Sequence, residues 1–267
     1  MSVFSSSLLR SAVVTRLRAV GCVFAEDEAR VLLSTARTPA ELAAMVDRRV
    51  AGLPLEHVVG WAEFCDLRIA VDPGVFVPRR RTEFLARQAA GLARRDPAAP
   101  EAVVLDLCCG SGAVGAALAA ALGRVELHAA DIDPAAVRCA RRNVAAAGGR
   151  VYEGDLYGPL PATLRGRVDV LVANAPYVPT EAIGLLPPEA RDHEPQVALD
   201  GGADGLAVQR RVTEAAPGWL APGGHLLIET SERQAPRTIE AFTRSGLTTR
   251  VVSCDELDAT VVIGTRP

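Results

Sequence analysis

AVVLDLCCGSGAVG, residues 102–115, runs apolar for four positions, meets an acid at Asp106, crosses two glycines and re-enters an alanine-rich stretch. The first part reads as a buried strand and the last part as the start of a helix. Between them, Gly110 and Gly112 let the chain turn tightly and let a ligand approach the backbone. The helix that follows offers free N–H groups at its start. A glycine turn of this kind is also the ordinary connection in an α/β sheet, so alone it identifies no ligand.

Downstream the alternation continues. The strands VELHAA (125–130), RVYEG (150–154), VDVLVA (168–173) and GHLLIET (224–230) interleave with helices over 113–122, 135–147, 205–220 and 232–245. LTTRVVS (247–253) and DATVVIGTR (258–266) then follow each other with no room for a helix. Strand–helix alternation predicts a mostly parallel sheet covered on both faces, and the helixless pair predicts one antiparallel strand, the last. The fold class expected is therefore α/β and Rossmann-like.

Upstream the character changes. The first twenty residues are Ser- and Arg-rich and lack acids, as transit peptides do. Leu9, Val13, Leu17 and Val20 nevertheless recur at helical spacing, which predicts a folded first helix. A second helix is expected over 25–36, with acids in its first turn. A third starts at Thr38, with Pro39 at its first position and Glu41 closing a capping box, and runs to Gly52. Residues 1–52 thus form a helical domain. Residues 53–77 form a linker holding a helical turn and the hairpin WAEFCDLRIAVDPG. The third unit, 78–267, opens with a helix through TEFLARQAAGLARR (82–95) and a short link at 96–100.

Composition narrows the classes. With 49% hydrophobic residues over 267 positions and a mean hydropathy of +0.18, the chain can bury a sizeable core. No apolar run approaches the ~18–20 residues of a membrane helix. A net charge of −3 and a pI near 5.9 count against a nucleic-acid binder. All 29 basic residues are arginine. The six cysteines form no C-x-x-C pair and have no histidine at ligand spacing, which reads as reduced thiols in a cytoplasmic protein with no metal site.

Asp106, Asp131 and Asp155 each fall at or near the carboxyl end of a strand, where open α/β sheets bind ligands. Three carboxylates would repel a pyrophosphate but suit the ammonium and sulfonium of S-adenosylmethionine. The fourth strand ends in Asn174-Ala175-Pro176-Tyr177. The Asn174 carboxamide can accept a hydrogen bond from a substrate amine. Ala175 precedes a proline and is held extended, which partly aims its carbonyl, and Pro176 fixes the next turn. Tyr177 offers a flat face. Two aimed acceptors and a ring suit a planar, weakly nucleophilic nitrogen, which needs alignment and charge stabilisation rather than a nucleophilic side chain.

PLEHVVGWAEF, VDPGVFVPRRRTE, DLCCGSG, DIDP, GDLY, NAPY and EPQVALDGGADGL occur in that order over nearly the whole chain. In this series the chain resembles the class I S-adenosylmethionine-dependent methyltransferases. More narrowly, it resembles the HemK/PrmC family, which methylates the glutamine amide of the Gly-Gly-Gln motif in peptide-chain release factors. The resemblance implies that Asp106, Cys108, Gly110, Gly112, Asp131 and Ile132 hold the cofactor's amino-acid and ribose parts. Asp155 and Leu156 would border adenine, with Asn174 at the methyl end. Asn174, the Ala175 carbonyl, Pro176 and Tyr177 would form the catalytic turn. Phe76, Val77, Pro78, Glu83, Tyr177 and Glu194 would lie on the substrate side.

Three departures from the family pattern stand out: Ala175 for the second residue of Asn-Pro-Pro-Tyr, Cys108 for the first glycine of the loop, and Pro78-Arg79-Arg80-Arg81-Thr82-Glu83 for Pro-Arg-Pro-Glu-Thr-Glu. The arginine run reads as a solvated helix start or as a contact for an anion or acidic partner. Four readings follow. The leading one is N-methylation of a planar side-chain nitrogen, with the glutamine of a release-factor-like protein first. Others are a free amino acid or small metabolite such as arginine, adenine in nucleic acid, and a cofactor-binding module without catalysis.

Overall fold

The structure is a computed structural model that describes residues 3–93 and 101–267. In chain order the elements begin with α1 (Val3–Ala19), α2 (Ala25–Thr35), α3 (Pro39–Val50) and α4 (Leu55–Val59). β1 (Trp61–Phe64), β2 (Leu67–Ala70) and α5 (Thr82–Ala93) follow. Then come β3 (Ala102–Leu107), α6 (Ala113–Leu122), β4 (Val125–Asp131), α7 (Pro134–Val144), β5 (Arg150–Glu153) and β6 (Val168–Ala173). The chain continues with α8 (Pro188–His193), α9 (Gln196–Leu199), α10 (Ala207–Ala215), β7 (Leu220–Thr230), α11 (Ala235–Arg244), β8 (Thr248–Cys254) and β9 (Ala259–Thr265).

Seven strands form one sheet in the order β5-β4-β3-β6-β7-β9-β8. All neighbours from β5 to β7 are parallel, and β9 runs antiparallel to both β7 and β8. The expected antiparallel strand is therefore present, and it lies inside the sheet with β8 beyond it at the edge. Alternate side chains point to opposite faces of a strand, and the core divides accordingly. Val104, Val170, Val172 and Leu227 join α5, α6 and α7 on one side. Leu105, Leu171, Leu226 and Val262 join Val212 of α10 and Phe242 of α11 on the other. β3, third in the sheet between β4 and β6, is buried at every position.

The amino-terminal helices have their own core of Leu17, Leu32, Leu42, Val46 and Val58. Thr38 Oγ1 accepts from the Glu41 N–H (3.1 Å), while Glu41 reaches back to the Arg37 N–H, one residue before the cap. Arg49 makes a bidentate pair with Glu28 and a second pair with Glu189 of α8, 2.7 Å away. That contact ties the helical unit to the rim of the larger domain.

β1 and β2 turn through Cys65 and Asp66, both at positive φ (49° and 61°), as a two-residue hairpin turn requires. Asn143 of α7 clasps the Ala70 backbone from both sides (2.9 Å each) and also donates to Ser111 O, fastening the hairpin beside the glycine loop.

Several boundaries differ from expectation. The helix expected over 205–220 stops at Ala215, and a tight turn containing Pro217 leads straight into β7, which begins at Leu220 rather than 224. Proline has no N–H to continue a helical ladder. The helix expected from 232 starts at Ala235, with Pro236 in its first turn, where proline is tolerated. The helix over 135–147 ends at Val144 and closes in a single 3₁₀ turn. Arg94, Arg95 and the link at 96–100 lie outside the described residues. No helix among the described residues is long and apolar enough to cross a membrane.

Candidate active site

The site forms at the carboxyl ends of β3, β4 and β6. Asp106 ends its apolar run almost fully enclosed, and its Oδ2 accepts from the Gly115 N–H at 2.9 Å. Burial, reinforced by the nearby Asp131 carboxylate, pushes the Asp106 carboxyl up to about 7 against the pull of that N–H. Gly112 stands at φ +77°, and a Cβ there would lie 3.0 Å from the Ala140 Cβ, so glycine lets the loop rest on α7. Cys108 (φ +55°) and Leu156 (φ +47°) hold left-handed conformations without being glycine, a costly geometry placed at the mouth of the crevice. Burial and the surrounding carboxylates raise the Cys108 thiol far above its ordinary value, so it is no thiolate nucleophile.

Asp131 receives two backbone hydrogen bonds, Gly110 N–H to Oδ2 (2.8 Å) and Asp133 N–H to Oδ1 (2.9 Å). Each oxygen keeps a lone pair. One cavity gathers Cys108, Gly110, Asp131, Ile132, Asp155 and Leu156, and Phe76, Asn174 and Pro176 line it too. Asp106 and Gly112 are not on its wall; they shape the loop from behind. Asp155, at the rim, is ion-paired with Arg211. The fit to a nucleoside is chemical. A fixed carboxylate can take a diol, and the apolar Leu156 and half-exposed Ile132 can flank a base.

A second cavity adjoins the first. Asn174, Ala175, Tyr177, Phe76, Arg79 and Glu194 line it, and Pro54, Glu56 and Glu189 extend it toward the amino-terminal unit. Phe76 and Asn174 belong to both walls. Asn174 Nδ2 donates to the hydroxyl of buried Thr82 (3.3 Å), which leaves its carbonyl oxygen as the accepting end. Ala175 is buried and Pro176 faces the first cavity. Tyr177 accepts a hydrogen bond on its hydroxyl from Arg81, and burial pushes its phenol up to about 12. Glu194 is enclosed: the Val77 N–H donates to Oε1 (3.1 Å) and Arg79 to Oε2 (2.5 Å), while the Arg79 guanidinium also covers the Phe76 ring. Its carboxyl is raised by burial, opposed by Arg79.

Three expected substrate-side residues lie elsewhere. Val77 is buried in a small core with Val71, Val75 and Cys139 and meets the wall only through its N–H bond to Glu194. Glu83 accepts from the Cys65 N–H and pairs with Arg87, so its carboxylate braces the hairpin turn and lines neither cavity. Pro78 also lines neither; it starts the chain toward α5. The arginine run is solvated at Arg80, while Arg79 and Arg81 meet acids of this chain. Arg79 answers buried Glu194, and Arg81 answers buried Glu229, its Nε 3.4 Å from Oε1, while Arg80 is exposed. Thr82, Arg81 and Glu229 went unread as site residues. Glu229 carried a usable signal: like Asp106 and Asp131, it is an acid near the carboxyl end of a strand.

A seven-stranded sheet with β9 inserted antiparallel, and a carboxylate-lined cavity at its carboxyl edge, defines a class I methyltransferase that uses S-adenosyl-L-methionine. A family model described as "Methyltransferase small domain" matches residues 66–185. The chain is 41% identical to a release factor glutamine methyltransferase of Geobacter sulfurreducens over 78% of this chain and 72% of that protein. It is 40% identical to the Mycolicibacterium smegmatis protein of the same name, over 86% and 82%. A 4-amino-L-phenylalanine/4-methylamino-L-phenylalanine methyltransferase of Streptomyces pristinaespiralis is 38% identical over 75% and 69%. In fold, the chain matches a methyltransferase from Pyrococcus furiosus with a TM-score of 0.55 at 18% identity, over 75% of this chain and 89% of that one. The chain belongs to the HemK/PrmC-type release factor glutamine methyltransferase family.

Proposed function

We propose that the protein methylates the side-chain amide nitrogen of a glutamine in a release-factor-like protein, with residues 78–267 as the methyltransferase domain and 1–52 and 53–77 forming a helical unit and hairpin linker. One observation carries the site assignment: Asn174 stands in the wall shared by the carboxylate-lined cavity and the open one beside it. S-adenosylmethionine, when bound, supplies an electrophilic methyl on sulfur. Asp131 would hold its ribose, and Asn174 Oδ1 and the Ala175 carbonyl would accept the two N–H groups of the amide. Held by both hydrogens, the nitrogen would be aligned with the methyl. As N–C formed, S–C would break to leave the neutral thioether S-adenosylhomocysteine, and the positive charge on nitrogen would meet two fixed dipoles until one N–H proton passed to solvent. Tyr177 packs against the planar amide. No side chain needs to act as a nucleophile.

A second reading keeps the chemistry and changes the acceptor to a free amino acid or aromatic amine. Its support is Ala175, buried on the acceptor wall where the family pattern has a proline ring, together with the aminophenylalanine-modifying relative. The test is a panel: a Gly-Gly-Gln release factor, free glutamine and arginine, and 4-aminophenylalanine, each followed for gain of one methyl mass. Methylation of the release factor at its glutamine supports the first reading, and methylation of a small amine alone replaces it. In either case Asn174→Ala is expected to abolish turnover with cofactor affinity nearly unchanged. Asp131→Ala should weaken cofactor binding by roughly 1–3 kcal/mol through lost charged hydrogen bonds, measured by calorimetry.

A further inference from the structure

Arg81 and Thr82, adjacent at the start of α5, reach the two ends of the Asn174–Tyr177 turn. Thr82 Oγ accepts from Asn174 Nδ2, and an Arg81 Nη donates to the Tyr177 hydroxyl. The Arg81 guanidinium carbon also lies 5.7 Å from the Tyr177 ring centroid, within cation–π range. Behind both residues sits Glu229, at the end of β7, with its side chain only 3% exposed. Arg81 Nε and Glu229 Oε1, 3.4 Å apart, are poorly aligned for a hydrogen bond, and besides Arg81 only the Thr82 hydroxyl draws the Glu229 carboxyl down against the effect of burial. A buried carboxylate so poorly satisfied is expensive unless its charge is answered, and Arg81 is the cation that answers it. In the family pattern described above, position 81 is a glutamate, which cannot do so.

We propose that Arg81, anchored by Glu229, is a positioning residue that sets the place and orientation of Tyr177 on the acceptor wall. The buried charge fixes the guanidinium stem, and the guanidinium in turn fixes the phenol. Arg81 touches no reacting atom in this arrangement; it acts through Tyr177. The proposal rests on the reading of the second cavity as the acceptor site.

The test has two arms. The first needs no acceptor. The ¹³Cζ resonance of Tyr177, assigned by its loss in Tyr177→Phe, should shift in Arg81→Gln, while those of Tyr152 and Tyr157 stay in place. An unmoved Tyr177 resonance would overturn the proposal whatever the substrate is. The second arm is a double-mutant cycle on whichever acceptor the wild type methylates. Arg81→Gln should lower kcat/KM for the acceptor about ten- to a hundred-fold, the range of a lost charged hydrogen bond, and leave cofactor Kd unchanged. Arg81→Lys, which keeps the charge beside Glu229 but loses the planar fork, should recover melting temperature more fully than activity. In the Tyr177→Phe background, Arg81→Gln should cost little more. Additive losses, or a loss confined to melting temperature, would show that Arg81 does not work through Tyr177.

Discussion

Ala175 has a methyl group where the family pattern has a ring, and it is 1% exposed. Its N–H donates to no other described residue, so a proline there would forfeit no backbone bond and would leave the carbonyl available. If the carbonyl alone matters, Ala175→Pro should methylate a release factor at least as well as wild type. If the freed space holds a different acceptor, restoring the ring should lower the native rate by up to about a hundredfold, equivalent to an overpacking cost of ~1–3 kcal/mol. Parallel rate measurements on protein and small acceptors separate the two. At this scale the sequence was legible wherever function demanded an unusual residue in a fixed local setting. Asp131 after a strand and Asn174 before a proline are such cases. Glu229 alone carried the signal of an acid near a strand's end, but its pairing with Arg81 was not legible, because it depends on β7 and the start of α5 meeting near the end of β6, and no local pattern connects residues 148 positions apart.

Between Tyr177 and Gly205 the chain contains only short helical turns, and these form the rim of the acceptor cavity. The segment is fastened by backbone pairs, Val178 N–H to Leu199 O (3.1 Å) and Gly201 N–H to Val178 O (2.8 Å). Gln234 also donates to the carbonyls of Tyr177 and Asp204. Gly205 passes so near that a Cβ would lie 2.3 Å from Tyr177 O and 2.4 Å from Gln234 Nε2, at φ +76°. Gly205→Ala is therefore expected to destabilise the fold by roughly 1–3 kcal/mol and to raise acceptor KM. Gly184→Ala, with nothing within 4 Å and no positive φ, is the matched control and should be near neutral. Equal denaturation midpoints for the two variants would refute the close-approach argument. The long alternating elements were readable from periodicity, and α8 and α9 were not. Helices of six and four residues are too short to show a 3.6-residue period.

Across the whole molecule, burial raises the carboxyls of Asp106, Asp131, Glu194 and Glu229 together. For a carboxyl whose folded value lies above its unfolded one, stability is complete below the unfolded value and is lost as pH rises through the folded value. For Asp106 that window runs from about 4 to about 7, with a cost of at most ~4 kcal/mol. Stability should decline from about pH 4 to about pH 7 and level off above that, and Asp106→Asn, which retains an acceptor for Gly115, should flatten the decline. Thermal melts of both proteins across that window check it. Parallel slopes would mean that Asp106 is not the group responsible.

The insertion of β9 between β7 and β8 also sets an order of assembly. β8 is synthesised first but has no neighbour to pair with until β9 exists, since it touches the sheet only through that strand. The two must either close as a hairpin and dock on β7 together, or leave β7 with an open edge in the meantime. Either way β8 and β9 should gain amide protection from hydrogen exchange as one unit, later than the parallel strands β3, β4 and β6. A nascent chain halted before residue 259 would present β7 as an unpaired edge, the part of this protein most prone to associate with other chains.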